Sequence, residues 1–191
     1  MRNVVIGLSL VLAGGIAGAK SKKAESKQEI TAPIEAKSGS TLAGKFTATM
    51  EGKNVKLKVE VTGAPEGEHA VHLHENADCS DPEAKKAGGH WNPLTDQHGD
   101  WHKEHHHLGD IGNMKVGKDG KGEVTLSTDK WSIGGDPKTD ITGHAIVVHE
   151  KIDDFTTQPT GNAGSRIGCG VIAKTGDQGK PATPPAPAPA K

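Results

Sequence analysis

The run Leu42-Ala43-Gly44-Lys45-Phe46-Thr47-Ala48-Thr49-Met50, a break at Glu51-Gly52-Lys53-Asn54, and then Val55-Lys56-Leu57-Lys58-Val59-Glu60-Val61 decides the fold class. Leu42, Gly44, Phe46, Ala48 and Met50 alternate with small or polar residues, and Val55, Leu57, Val59 and Val61 alternate with Lys56, Lys58 and Glu60. A period of two belongs to a strand with one buried and one wet face, because successive side chains leave a pleated backbone on opposite sides. The two halves and their polar break predict a hairpin. Working outward, further strands are expected at 69–75, 113–116, 123–127, 143–149 and 170–173, separated by turns such as Gly117-Lys118-Asp119-Gly120. Seven or eight short antiparallel strands predict an all-β sandwich or flattened barrel. Two segments, Asn76 to Ile111 and Glu150 to Gly168, have little apolar pattern. Loops that long need a function or an internal staple.

Composition agrees with this class. Tyr is absent and Phe and Trp number only 2 and 3, so the core must come from Val, Ile, Leu and Ala, which suits strands better than bulky helix packing. The formal net charge of −1 leaves no electrostatic footprint for a nucleic acid. A length of 191 residues predicts one domain with tails.

Residues 1–19 read as a secretory signal peptide: Arg2 gives a positive start, Val4 to Ile16 is an uncharged apolar run, and Ala17-Gly18-Ala19 is a small-residue cleavage site. The run is short against the roughly 20 residues of a spanning helix, so no membrane span is expected after cleavage. Residues 20–39, rich in Lys, Ser, Glu and Ala, are expected to be a flexible linker, residues 40–174 the folded domain, and residues 175–191 a disordered Pro/Ala-rich tail favouring extended polyproline geometry. Export changes the meaning of the two cysteines. In an oxidising compartment Cys79 and Cys169 are expected to close as a disulfide, and no CxxC pattern points to redox or metal chemistry instead.

The chemistry lies in the histidines. On a strand, His72 and His74 point to one face while Val71 and Leu73 point to the other, so the pair can chelate, although an isolated H-x-H is as often merely packed or solvated. His69 shares the Val71 and Leu73 face and reads as a packed, hydrogen-bonded structural residue. His90 sits in Gly88-Gly89-His90-Trp91-Asn92-Pro93, His98, His107 and Asp110 fall within thirteen residues, and His149 ends the apolar run Ala145 to Val148. Neutral imidazole ligates copper and zinc, and three imidazoles with a carboxylate suit a closed tetrahedral zinc site. Six histidines and one aspartate can hold two metals.

With these motifs assembled, the chain resembles the exported bacterial copper/zinc superoxide dismutases. The resemblance is carried by His69-Ala70-Val71-His72-Leu73-His74-Glu75-Asn76, Gly89-His90-Trp91-Asn92-Pro93, His107-Leu108-Gly109-Asp110-Ile111-Gly112-Asn113, Val147-Val148-His149-Glu150-Lys151 and Gly161-Asn162-Ala163-Gly164-Ser165-Arg166-Ile167-Gly168-Cys169-Gly170. It implies a Greek-key sandwich or flattened barrel of about eight strands with two long functional loops. It implies dismutation of superoxide to dioxygen and hydrogen peroxide by copper cycling between its two oxidation states, with a structural zinc. Copper would be held by His72, His74, His90 and His149, and zinc by His90, His98, His107 and Asp110, with His90 shared and able to move a proton. Asp153 would orient His72 and His98, and Arg166 would attract the anionic substrate. Monomeric and homodimeric forms both stay open.

Two features depart from the family pattern. Phe155 to Ser165 contains no Lys or Arg, leaving Lys151 and Arg166 to supply the positive charge there. Trp101-His102-Lys103-Glu104-His105-His106-His107 offers surplus imidazoles; His107 fits the H-x-G-D register, with His105 and His106 able to exchange for it. His102, His105 and His106 are otherwise expected to be solvated, with auxiliary zinc capture as the alternative. A non-enzymatic periplasmic metal carrier on the same fold would show an incomplete ligand set or lack the arginine.

Overall fold

The computed structural model describes residues 28–174. The expected signal peptide (1–19), the first part of the linker and the tail (175–191) lie outside the described residues. Eight antiparallel strands are found among them: β1 Glu29–Ala36, β2 Ala43–Glu51, β3 Asn54–Thr62, β4 Gly67–His74, β5 Asp110–Val116, β6 Gly122–Thr128, β7 His144–His149 and β8 Arg166–Ile172. They close into a barrel in the order β1-β2-β3-β6-β5-β4-β7-β8. The runs β3-β6-β5-β4 and β6-β5-β4-β7 each set a strand beside the far member of a three-strand meander, which is Greek-key connectivity. Closure removes the exposed edges that an open sheet would leave for aggregation.

The opening hairpin forms as its alternation requires. β2 and β3 pair in continuous register from Ala43 with Thr62 to Glu51 with Asn54. Val55, Leu57, Val59 and Val61 are buried while Lys56 and Glu60 are exposed. Phe46 is fully buried and, with Leu57, Leu73, Met114 and Ile146, fills the barrel interior. Truncating a buried Phe costs about 3–5 kcal/mol through lost transfer energy and the cavity left behind.

One boundary needs correction. The expected flexible linker at 20–39 contains β1, whose Ile30, Ala32 and Ile34 are buried in the same core. β1 pairs with β2 along its length and reaches β8 at Glu35 and Ala36, so it is the strand that closes the barrel. The polar residues of this segment are the wet half of an alternation whose apolar half is only three residues long.

The largest differences in strand bounds are at β5 and β8, which begin three and four residues earlier than expected, at Asp110 and Arg166. β4 and β7 are buried on both faces. Val71, Leu73, Ile146 and Val148 point into the barrel, while Ala145 and Val147 pack outside it with Cys169, Ala84 and Ala87. This second cluster lies under the long loop after β4, which carries a short 3-10 helix, Lys85–Ala87. Cys79 and Cys169 are disulfide-bonded and staple that loop to β8. The outward side of β4 and β7 is thus roofed by loop rather than water, and the histidines on it are buried.

Candidate metal centre

His72 and His74 leave β4 on its outward side, opposite Val147 and Ala145 of β7. His149 ends β7, where a register irregularity after Val148 turns the chain. His90 arrives from the long loop and bridges back to His74. Its neighbourhood is held by three backbone bonds: Trp91 N donates to Leu73 O at 2.8 Å, Gly109 N to Trp91 O at 2.9 Å, and Leu73 N to Gly109 O at 2.9 Å. This ring of bonds explains the glycine of H-x-G-D, since a Cβ at Gly109 would collide with Leu73 O and come within 3.0 Å of Trp91 N.

Two groups of side chains converge. Nitrogen atoms of His72, His74, His90 and His149 lie within 4.8 Å of one another, as do ligand atoms of His90, His98, His107 and Asp110, and all seven residues are buried. Within the first group the His74 and His149 Nε2 atoms are 3.3 Å apart and the His72 and His90 rings are centred 4.0 Å apart. His90 belongs to both groups, the only arrangement by which one imidazole with two nitrogens can serve two centres.

The outer nitrogens of four of these rings are occupied, which leaves their inner ones aimed at the candidate sites. His72 Nε2 donates to Asp153 Oδ2 and His98 Nε2 to Asp153 Oδ1, both at 2.8 Å. His74 Nδ1 donates to Gly88 O at 3.0 Å and His149 Nδ1 to Gly164 O at 3.4 Å. His72 Nδ1, His90 Nε2 and His98 Nδ1 are buried with no hydrogen-bond partner. A buried polar atom left alone is costly, and three of them facing common centres in a nest of imidazoles and a carboxylate fit bound metal ions. His98 Nδ1 lies 3.0 Å from Asp110 Oδ2 without the alignment of a hydrogen bond, as expected where both atoms face a third partner. Asp110 also receives backbone donors from Gly99 and His107 through Oδ2.

Electrostatics distinguish His98 from His74, His90 and His149. Burial holds His74 and His149 well below the usual histidine range, reinforced by neighbouring rings and Arg166. Burial also brings His90 down to about 4 against the opposing pull of Asp110. These rings therefore stay neutral, the form that ligates metal. Burial pushes His98 down too, but Asp110 and Asp153 outweigh it and raise the ring to about 9. Burial would raise Asp110 and Asp153; contacts with His107, His90 and His98 for the first, and with His72 and His98 for the second, hold both below the usual carboxylate range instead.

Of the surplus histidines, His105 and His102 are exposed, with His105 Nδ1 at 3.0 Å from Asp96. His107, not its neighbours, joins the converging group. His106 departs from the solvated expectation: it is 5% exposed and packs against Trp101 with ring centroids 4.5 Å apart. His69 is packed and hydrogen-bonded, its ring nitrogens each 2.9 Å from a carbonyl oxygen, of His149 and of Pro65. Arg166 is half-buried at the start of β8 and donates at 2.6 Å to both Ala84 O and Gly88 O, so the carbonyl that orients His74 also holds the arginine.

The roles of two amides had no signal in the sequence. Asn113 of β5 clasps the backbone of Asp153, donating from Nδ2 to its carbonyl at 3.0 Å and accepting from its N–H at 2.8 Å. Gln158 does the same to His98, with both bonds at 2.8 Å. Each pins one long loop against a partner 40 or 60 residues away, a relation no local pattern displays. Gly161 completes the packing, because a Cβ there would run into Asp153 Oδ1 and His98 Nε2.

Comparison with known proteins agrees with this geometry. The sequence model of the copper/zinc superoxide dismutase family matches residues 42–172. A copper/zinc superoxide dismutase of Caulobacter vibrioides is 39% identical over 147 residues, spanning 74% of this chain and 84% of that protein. Superoxide dismutase [Cu-Zn] 5 of Dictyostelium discoideum is 39% identical over 119 residues, covering 59% and 76%. Among solved structures, a double mutant of a SOD-like protein from Bacillus subtilis superposes with a TM-score of 0.67 at 32% identity, covering 75% of this chain and 96% of that one.

Proposed function

This chain belongs to the copper/zinc superoxide dismutase family, and from that membership we propose that it converts superoxide to dioxygen and hydrogen peroxide outside the cytoplasm, as an antioxidant defence. Copper and zinc are its cofactors. In this reading copper is held by His72, His74, His90 and His149, and zinc by His90, His98, His107 and Asp110. Copper, when bound, supplies the one-electron exchange in each direction that dismutation requires; zinc has no redox chemistry and serves the structure.

The observation that carries the reading is His90, whose Nε2 is buried and unpartnered while its Nδ1 lies 2.9 Å from Asp110. One imidazole therefore faces both groups. Dismutation consumes two protons for each hydrogen peroxide formed, and His90 Nε2, when free, is the atom placed to take up a proton and release it to the product. Asp153 fixes the tautomers of His72 and His98 by accepting at both Nε2 atoms. Arg166, its guanidinium held by two carbonyls, offers a fixed cation to an anionic substrate. Phe155 to Ser165 adds no cation, so Lys151 and Arg166 supply the positive charge at that rim.

Export in this reading rests on the apolar run Val4 to Ile16 with its Ala17-Gly18-Ala19 end, and on the Cys79–Cys169 disulfide, which suits an oxidising compartment such as the periplasm. Among the described residues no helix is long and apolar enough to cross a membrane. The existence of a SOD-like relative favours a second reading, a metal carrier on the same barrel. The complete ligand set and Arg166 support turnover instead. Reconstitution with copper and zinc followed by a superoxide-removal assay separates the two: stoichiometric metal without copper-dependent turnover, or turnover unaffected by His149→Ala, would refute the enzymatic reading.

A further inference from the structure

His106 is buried beside the candidate zinc ligand His107, yet it belongs to neither converging group. Its Nε2 lies 2.7 Å from Lys130 Nζ and its Nδ1 2.7 Å from His107 O. A lysine ammonium has three donors and no acceptor, so Nε2 must accept; the ring proton then sits on Nδ1 and donates to the His107 carbonyl. The tautomer follows from the partners alone.

The contact is part of a larger dock. The His106 ring packs on Trp101 at a tilt of 43°, Trp131 lies on Trp101 at 5.2 Å between centroids, and Lys130 Nζ lies 5.2 Å from the Trp101 ring centre. On the far side of His107, Trp131 Nε1 donates to Leu108 O at 3.0 Å. The peptide carbonyls of His107 and Leu108 are thus each bound by a side chain, one directly from Trp131 and one through His106 from Lys130.

We propose that His106 is a positioning residue: with its proton held on Nδ1 by Lys130, it docks the loop onto the Lys130–Trp131 step and so places His107 in the candidate zinc site. This rests on reading His107 as a zinc ligand. It gives the surplus imidazole a role other than spare ligand, because a metal at His106 Nε2 would have to displace Lys130.

The test uses the full chain, stripped of metal and reloaded with zinc in competition with a chelator of known affinity. His106→Phe keeps a ring against Trp101 and removes both hydrogen bonds; Lys130→Met keeps the stem of an exposed side chain and removes the donor together with its charge over Trp101. Each is expected to weaken zinc binding about tenfold, the low end for residues that orient a ligand, with the double variant no weaker than the worse single one and copper binding unchanged. If His106 were a spare ligand, Lys130→Met would leave zinc affinity unchanged or raise it, and that result overturns the proposal. Fully additive losses overturn it as well. His107→Ala tests the underlying reading separately: wild-type zinc affinity in that variant would remove His107 from the site whatever the other two variants do.

Discussion

Replacing Asp153 with alanine should weaken both metal sites at once, although Asp153 ligates neither. Asp153 is 1% exposed, and its carboxylate accepts from His72 at one oxygen and from His98 at the other, each at 2.8 Å. Hydrogen bonds to a charged acceptor contribute about 1.5–3 kcal/mol each, and alanine leaves neither ring an acceptor. Without it the Nε2 protons are no longer held outward, and each imidazole is free to rotate or shift its proton to the nitrogen that faces the metal. Loss of such outer partners lowers metal affinity about 10–100-fold. That range equals about 1.4–2.8 kcal/mol for each site, in agreement with one charged hydrogen bond per ring. Titration of the metal-stripped variant with zinc and with copper, each against a competing chelator, measures the two losses independently. Wild-type affinity at either site would refute the argument that this carboxylate orients both rings.

Gln158→Ala should lower zinc affinity severalfold and leave copper nearly unchanged, since the candidate ligand whose backbone its amide clasps is His98; equal losses of both metals in a chelator titration would contradict this. Arg166→Ala should keep both metals while slowing superoxide removal and flattening its dependence on ionic strength, because the fixed cation rather than a ligand is lost; kinetics that match wild type would take Arg166 out of the mechanism. Removing the disulfide with Cys79→Ala and Cys169→Ala opens a loop of 90 residues and should cost about 4–5 kcal/mol by loop-closure entropy, read from urea titration. In the metal-free protein His74, His90 and His149 are neutral when folded and protonate on unfolding, so stability should fall as pH drops below about 6.5, by up to about 1.4 kcal/mol per pH unit for each ring. His98 acts in the opposite sense: its stabilisation is complete below about 6.5 and is lost as pH rises through about 9, so a stability maximum between these values is expected in urea titrations across pH.

Much of this molecule was legible from local pattern. The alternation from Leu42 to Val61 required a half-buried hairpin, and the pleat alone placed His72 and His74 on one side and Val71 and Leu73 on the other. The types of residue that could ligate copper and zinc, and their order, were equally plain, because ligand chemistry is a property of single side chains. Strand β1 was harder to see, since Ile30, Ala32 and Ile34 carry too little apolar weight to stand out among charged neighbours; only the gap between β2 and β8 makes them a strand.

What the tertiary structure alone could decide was which groups meet. His72 and His149 are brought together because β4 and β7 are neighbours in the barrel, and Asp153 reaches His72 and His98 because Asn113 ties down the loop of Asp153 and Gln158 that of His98. The same holds within the histidine run: His106 and His107 are adjacent in the chain, but one faces Lys130 and Trp101 while the other faces His90 and Asp110. Periodicity and composition act over a few residues, whereas a metal site is defined by atoms within a few ångströms that come from segments tens of residues apart. Closing those distances depends on burial and backbone hydrogen bonding across the whole barrel, and no window of sequence contains that information.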